Sequence, residues 1–315
     1  MGSFPTRSIV TGDASKARWS WRLAVNQSLQ RQGVRIVPSP TKYPWVVQLV
    51  EHMPEEHGVG GSIPSLGAIK ISFINIIMFT NSNYAMANKT LYWSNTDTKE
   101  AFKKNKKISN ADWIYHTKEI QYHHDEFGFR IKQPENRRPS WKESIVVFGC
   151  SNVYGVGLAY EDTLCEQLEQ QLNIPVINLG VPGSAVDLAA RNSYILYKHL
   201  PHPKAIVHLW TGLTRYTEWS GKDNSIAKNN VPTNPDYYPN FNWEAKSLHF
   251  IDTDRELWRN KTIYYESSYW FENSVALKID MIHTHDKARD CSHPGTKTNY
   301  FAAMGIAERL KSLGI

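Results

Sequence analysis

Short apolar runs alternate with longer amphipathic segments between residues 144 and 210. The apolar runs are rich in Val, Ile and Leu, which is typical of buried strands, and the amphipathic segments repeat at the helical period. Asp162 or Thr163 stands near the start of the first predicted helix and Ser184 at the start of the second, and all three favour a helix N-cap. The predicted strands occupy residues 144–150, 176–179 and 204–210, and the predicted helices occupy residues 161–172 and 184–200.

This alternation predicts the fold class. Strands separated by helices connect through right-handed crossovers and build a parallel sheet that helices cover. We therefore expect an α/β protein, a three-layer α/β/α sandwich with a mainly parallel sheet. Ligands of such sheets bind at the carboxyl ends of the strands, where Ser151, Gly180 and Thr211 fall.

The pattern is less regular in the remaining segments. Residues 110–135 indicate a short strand or hairpin, residues 215–262 a long polar and aromatic insertion, and residues 296–313 a final helix. Residues 248–251 are a candidate strand, and residues 275–281 fit a strand or a helix.

The composition along the chain divides it into three parts. Residues 1–85 mix Gly, Pro and Ser with isolated apolar patches, one of which, residues 46–50, fits a short helix or strand. We expect residues 1–85 to form a poorly structured or accessory extension. Residues 86–142 are an accessory segment that precedes the core, and residues 143–315 are the predicted domain.

Charge and cysteine content bear on the partners and on the compartment. The 315 residues carry a formal net charge of +6, but much of the excess lies in residues 99–107 and 132–142. No recognition motif accompanies this charge, so we interpret it as a solvated face and expect no nucleic-acid partner.

Three cysteines give no disulfide framework and favour a reducing compartment. No apolar run reaches the roughly 20 residues of a membrane span and no signal peptide stands at the start, so we expect a cytoplasmic location.

Three residues supply the parts of a hydrolytic triad. Ser151 follows the strand predicted at residues 144–150, and Asp290 and His293 stand three residues apart before the final helix. In such a triad the aspartate holds one imidazole nitrogen, while the other nitrogen accepts the proton of the serine hydroxyl. Each residue alone is also explained by an ordinary turn or loop. Together they predict a nucleophile, a general base and the acid that orients the base.

On these residues the chain resembles the SGNH hydrolases, also called the GDSL lipase/esterase superfamily, over residues 143–315. The family's Gly-Asp-Ser-type turn matches Gly149-Cys150-Ser151, with cysteine in the aspartate place, and its Asp-x-x-His motif matches Asp290 and His293. Phe127-Gly128-Phe129-Arg130 is similar to a segment that often precedes the family's core. The resemblance implies a flavodoxin-like α/β/α fold, catalysis by Ser151, His293 and Asp290, and no cofactor.

The resemblance also implies an oxyanion hole. The second-block glycine of the family matches Gly180, so the backbone N–H groups of Ser151 and Gly180 are expected to bind the oxyanion. The third block, Gly-x-Asn-Asp in the family, is Gly212-Leu213-Thr214-Arg215 here, which places Thr214 where an asparagine side chain donates. Losing such a donor costs on the order of 10²- to 10³-fold in turnover. Thr214, Arg215 or the nearby Asn192 are the candidates that compensate.

We expect an esterase that hydrolyses a small acyl ester on a polar carrier such as a sugar. The expected partner is therefore a small-molecule or glycan ester, and the sequence carries no signal for an oligomeric state. Aromatic rings on or after the third predicted strand suit sugar rings, although core packing is the commoner use of such residues. They are Trp210, Tyr216, Trp219, Tyr237, Tyr238 and Trp243, of which the first three are the predicted substrate-binding residues.

Two other functions stay open at this point. One is a catalytically impaired SGNH-like domain that binds glycans through the aromatic insertion. The other is a metal-dependent hydrolase that uses His283, His285 and Asp286, because histidines two apart on a strand share a face. Such clusters are more often solvated polar surface, so we expect no metal site. An α/β-hydrolase elbow is not indicated, since Val153 replaces its second glycine.

Overall fold

The structure is a computed structural model that describes residues 84–135, 138–219 and 242–315, together with Phe79 and the backbone of three further strands. Those strands are β1 (Val34–Pro38), β2 (Val47–Glu51) and β10 (Ile226–Asn230). The chain divides into two compact units, Met1–Pro64 and Ser65–Ile315. In the first unit β1 pairs antiparallel with β2, so the segment predicted at residues 46–50 forms a strand from Val47 onward. The prediction of an extension over residues 1–85 otherwise falls largely outside the described residues.

A five-stranded sheet is the centre of the second unit. All of its strands run parallel, in the order β12-β11-β8-β6-β7. Near-continuous apolar sequence is typical of parallel strands, because helices cover both of their faces. The strands are β6 (Ile145–Gly149), β7 (Val176–Gly180), β8 (Ala205–Trp210), β11 (Ile263–Ser268) and β12 (Asp280–Met281).

Helices cover the sheet on both faces, and β6 shows how the layers are filled. Ile145 and Val147 point into one apolar cluster with α3 and α7, whereas Val146 and Phe148 point into the other with α4 and α5. The three-layer α/β/α sandwich is therefore confirmed. The helices after β6 are α2 (Ser151–Tyr154), α3 (Leu164–Leu172), α4 (Val186–His199), α5 (Trp243–Trp258), α6 (Phe271–Leu277) and α7 (Thr296–Ser312).

Residues 84–135 pack onto the parallel-sheet domain. They contain an antiparallel sheet in the order β3-β4-β5 and the helix α1. Tyr115, Ile120 and Tyr122 share a third apolar cluster with Tyr154 and Ala288 of the domain. The elements are β3 (Thr90–Leu91), α1 (Lys99–Ile108), β4 (Tyr122–His124) and β5 (Arg130–Ile131).

Some sequence interpretations are wrong. Residues 215–262 are not simply an insertion, because they contain α5, whose Ile251 and Trp258 are buried against the sheet. The candidate strand at residues 248–251 lies inside this helix, since so short an apolar run does not distinguish the two structures. Ser184 does not cap α4. Its hydroxyl donates to the carbonyl of Gly149, at 3.1 Å.

Two more segments are now assigned. The fourth strand that the sequence did not reveal is β11, which pairs with β8 along its whole length. Residues 275–281 divide between the end of α6 and β12. β9 (Tyr216–Trp219) and β10 form a separate antiparallel pair. None of the helices in the described ranges is long and apolar enough to cross a membrane.

Candidate active site

Ser151 lies just beyond the carboxyl end of β6, an inner strand of the sheet. β6 ends at Gly149, and Ser151 is the first residue of the short helix α2. The N–H groups of Val153 and Tyr154 in α2 donate to the Cys150 carbonyl, at 3.1 and 3.0 Å, whereas the N–H of Ser151, the first residue of the helix, precedes these bonds. Parallel pairing with β7 and β8 brings the ends of three strands to this edge.

His293 reaches Ser151 from the loop before α7. Its Nε2 lies 2.8 Å from the Oγ of Ser151, and its Nδ1 lies 2.6 Å from the Oδ2 of Asp290. The loop is closed by a hydrogen bond from the Ala288 N–H to the His293 carbonyl, at 2.9 Å. Three residues from two widely separated motifs therefore form one hydrogen-bonded chain at the sheet edge.

Asp290 is held from both of its oxygens. Oδ1 accepts the backbone N–H groups of Ser292 and His293, both at 3.0 Å, and Oδ2 accepts His293 and the Thr96 hydroxyl. Burial acts to raise the pKa of Asp290, but the hydrogen bonds and charge of His293 outweigh it and lower the pKa to about 2. A carboxylate that stays ionised at neutral pH is what the orienting member of a triad needs.

Arg130 holds the loop that follows Ser151. The buried guanidinium donates to the carbonyls of Tyr154, Gly155 and Leu158, the last two at 2.5 and 2.6 Å. It also donates to the carbonyl of Gln121 and stacks over Tyr122. The predicted segment Phe127-Gly128-Phe129-Arg130 thus delivers an arginine that satisfies buried carbonyls behind the serine helix.

The oxyanion role expected of Gly180 is contradicted. Its N–H is buried and donates to the side-chain oxygen of Asn178, at 2.9 Å, so it is not available to a substrate. Glycine at position 180 allows β7 and α2 to approach closely, because a Cβ there would lie 2.3 Å from the backbone nitrogen of Tyr154.

Gly183, in the next turn, is exposed at φ +73°, and its N–H has no acceptor within the described residues. Sequence reasoning passed over it, although the turn Val181-Pro182-Gly183 was a visible signal.

We expect Gly180→Ala to destabilise the protein by about 1–3 kcal/mol, because the new methyl group meets backbone rather than a movable side chain. Chemical denaturation measures this change. Gly305→Ala is the matched control: nothing lies within 4 Å of its added Cβ inside α7, so it should gain roughly 0.5–1 kcal/mol. Equal effects of the two substitutions would contradict the close approach of β7 to α2.

The residues predicted to contribute to substrate or oxyanion binding differ in how accessible they are. Trp210 is wrong as a substrate-binding residue, because it is 1% exposed, stacks on His208 and donates its indole N–H to Glu266. Tyr216 is half-buried in β9, and Thr214 is exposed in the turn after β8. The side chains of Trp219 and Trp243, and the whole of Tyr237 and Tyr238, lie outside the described residues.

An aromatic residue that the sequence did not single out lies at the same edge. Trp270 follows β11, is half-buried, and has its indole about 3.8 Å from where a side chain on Gly212 would begin. The guanidinium of Arg215 stacks 5.2 Å from the Trp270 ring centroid and donates to Thr211.

Asp286, which was considered as a metal ligand together with His283 and His285, has a structural role. Asp286 accepts hydrogen bonds from the backbone of Lys297 and from the backbone and hydroxyl of Thr298, so its carboxylate is used at the start of α7. In the part of the chain that the structure describes, no three His, Cys, Asp or Glu side chains are grouped closely enough to hold a metal ion.

Comparison with known proteins gives structural likenesses only. No protein-family model and no curated protein matches the chain. A carbohydrate esterase family 2 enzyme with a carbohydrate-binding domain from Corynascus thermopiles (Myceliophthora fergusii) is 13% identical, with a TM-score of 0.37 over 57% of this chain and 69% of that one. A member of the lipolytic G-D-S-L family from Veillonella parvula is 12% identical, with a TM-score of 0.34 over 53% of this chain and 98% of that one.

A third solved structure is an acetyl xylan esterase from Butyrivibrio proteoclasticus. It is 11% identical, with a TM-score of 0.35, and the match covers 56% of this chain and 65% of the esterase. In this chain the α/β/α sandwich is defined by the strand order, and the candidate site is defined by the contacts of Ser151, His293 and Asp290.

Proposed function

We propose that the protein is a serine ester hydrolase of the SGNH type, with Ser151 as nucleophile, His293 as general base and Asp290 as the orienting acid. The observation that carries this proposal is the continuous chain of contacts from Asp290 through His293 to Ser151, at 2.6 and 2.8 Å. Both distances lie in the range that proton transfer requires. The carboxyl edge of a parallel sheet, where the chain lies, is the usual position for a ligand.

The proposed reaction has two steps. The Ser151 oxygen attacks the acyl carbonyl while its proton passes to Nε2 of His293, and the alcohol leaves with that proton. Water then attacks the acyl-enzyme, His293 takes the proton of the water, and the carboxylic acid is released as Ser151 recovers its proton. Neither step changes an oxidation state, and the reaction needs no cofactor.

Three residues are proposed to donate hydrogen bonds to the oxyanion. The N–H of Ser151 lies in the first turn of α2, and the exposed N–H of Gly183 lies beyond the adjacent strand β7. Thr214 adds a hydroxyl in the turn after β8, on the other side of β6. Preorganised donors of this kind act on the charge that develops in the transition state.

The proposed substrate is a small acyl ester on a polar carrier such as a sugar. Trp270 and Arg215 support this choice, since they offer an aromatic face and a cation at the same edge of the sheet. We expect an aryl acetate to be hydrolysed faster than the corresponding long-chain ester, with kcat/KM compared at equal concentrations of enzyme. Faster turnover of the long-chain ester would contradict this substrate class.

A fluorophosphonate probe separates the proposal from a glycan-binding domain without activity. An activated Ser151 should be labelled, and mass spectrometry should place the adduct on its tryptic peptide. Absence of both labelling and aryl acetate hydrolysis would favour the binding domain, for which the threonine in place of an oxyanion-binding asparagine is the motivating observation.

A further inference from the structure

A tight turn before the parallel-sheet domain touches the candidate site. It consists of residues 94–97, here the 94–97 turn, and is closed by two hydrogen bonds between the backbones of Ser94 and Asp97, at 3.0 and 3.1 Å. Asn95 adopts φ +55°, a conformation that asparagine tolerates well. The hydroxyl of Thr96 donates to Oδ2 of Asp290 at 2.6 Å and lies 3.4 Å from Nδ1 of His293.

The position of the 94–97 turn is fixed by a buried ion pair. Arg289 binds Asp97 through two hydrogen bonds, at 2.9 and 2.7 Å, and both side chains are nearly inaccessible. Tyr122 donates to the same carboxylate at 2.5 Å. Because Arg289 immediately precedes Asp290, this pair ties the turn to the backbone that carries the acid of the site.

Thr96 is distinct among the groups that hold Asp290. Two of the other donors are backbone N–H groups of the same loop, from Ser292 and His293. The third is the imidazole that Asp290 itself is proposed to orient. Within the described residues, Thr96 is thus the donor that holds this carboxylate from outside its own loop.

We propose that Thr96 is a positioning residue, whose hydroxyl fixes the rotation of the Asp290 carboxylate so that Oδ2 stays aimed at Nδ1 of His293. This rests on the proposed esterase function. The 94–97 turn then completes the site by holding Asp290. A carboxylate with all of its acceptor positions filled loses its freedom to rotate, and such preorganisation favours turnover rather than substrate binding.

Three variants test this role. Thr96→Val keeps the shape but removes the donor, and we expect kcat on an aryl acetate to fall about three- to tenfold with KM unchanged. Thr96→Ser restores the hydroxyl and should recover most of the loss. Thr90→Val is the matched control, because Thr90 also bonds a histidine, His123, at 2.8 Å but is not among the groups that donate to Asp290. An unchanged kcat in Thr96→Val, or a serine variant as slow as the valine variant, would overturn the proposal.

A spectroscopic measurement decides the proposal separately from turnover. A strongly hydrogen-bonded imidazole proton resonates far downfield in the proton NMR spectrum, and His293→Ala identifies the signal by its loss. Thr96→Val should shift or broaden this signal, whereas Thr96→Ser and Thr90→Val should leave it in place. If the protein hydrolyses no ester but the signal moves as expected, the proposed function fails and the positioning contact stands. A signal indifferent to Thr96→Val contradicts the contact itself.

Discussion

Replacing Ser151 or His293 by alanine should lower kcat for an aryl acetate by on the order of 10⁶-fold. Without Ser151 no acyl-enzyme forms, and without His293 the hydroxyl loses the imidazole nitrogen that lies 2.8 Å away and takes its proton. The double variant should be scarcely slower than either single variant, because the two side chains act as one unit. Turnover is measured with the purified variants at enzyme concentrations high enough to detect the residual rate.

Ser292→Ala is the control for this experiment. Its side chain is exposed on the same loop, and only its backbone N–H contacts Asp290, so the substitution should leave kcat nearly unchanged. A Ser151→Ala protein that retained a substantial fraction of wild-type turnover would exclude the proposed nucleophile. Losses that added up in the double variant would indicate that the two residues act in separate steps.

The local pattern of apolar residues was sufficient to predict the three strands around the site. β6, β7 and β8 are almost wholly apolar, so their sequence predicted them within one or two residues. β11 escaped prediction because it carries polar residues whose partners lie on other elements of the fold. Glu266 binds Arg255 and Trp210, and Ser268 donates to the Trp210 carbonyl. A buried strand with satisfied polar groups has no apolar signature to detect.

The site was predictable where a motif is local and was missed where a contact is long-range. Asp290 and His293 were predicted together because one turn presents both. The partners Thr96 and Asp97 lie more than 190 residues before Asp290 and Arg289, and nothing in the spacing of the chain indicates such a contact. Trp210 was misassigned for a related reason, since its strand-end position does not reveal that it points into the core.

Asp97→Ala should lower the free energy of unfolding by about 3–5 kcal/mol, the second large effect we expect. Removing one member of a buried ion pair leaves the other charge without compensation, and that penalty exceeds the value of the pair itself. Arg289 would lose both of its bonds to Asp97, and Tyr122 would lose its acceptor. Denaturant unfolding followed by circular dichroism measures the change, and Asp97→Asn, which keeps one acceptor oxygen, should lose less.

An exposed ion pair gives the matched control. Glu256 and Arg259 form a salt bridge in which both side chains are mostly exposed, so Glu256→Ala should change the free energy of unfolding by no more than roughly 0.5 kcal/mol.

The double variant Asp97→Ala/Arg289→Met removes the unpaired buried charge of Arg289. It should recover part of the stability lost in Asp97→Ala, because an apolar chain of similar length tolerates burial between Trp93 and Phe102. If Asp97→Ala costs no more than Glu256→Ala, the pair does not anchor the 94–97 turn. If Asp97→Ala costs more than Glu256→Ala and turnover falls as well, the buried charge of Asp97 supports both the folding of the protein and the candidate site.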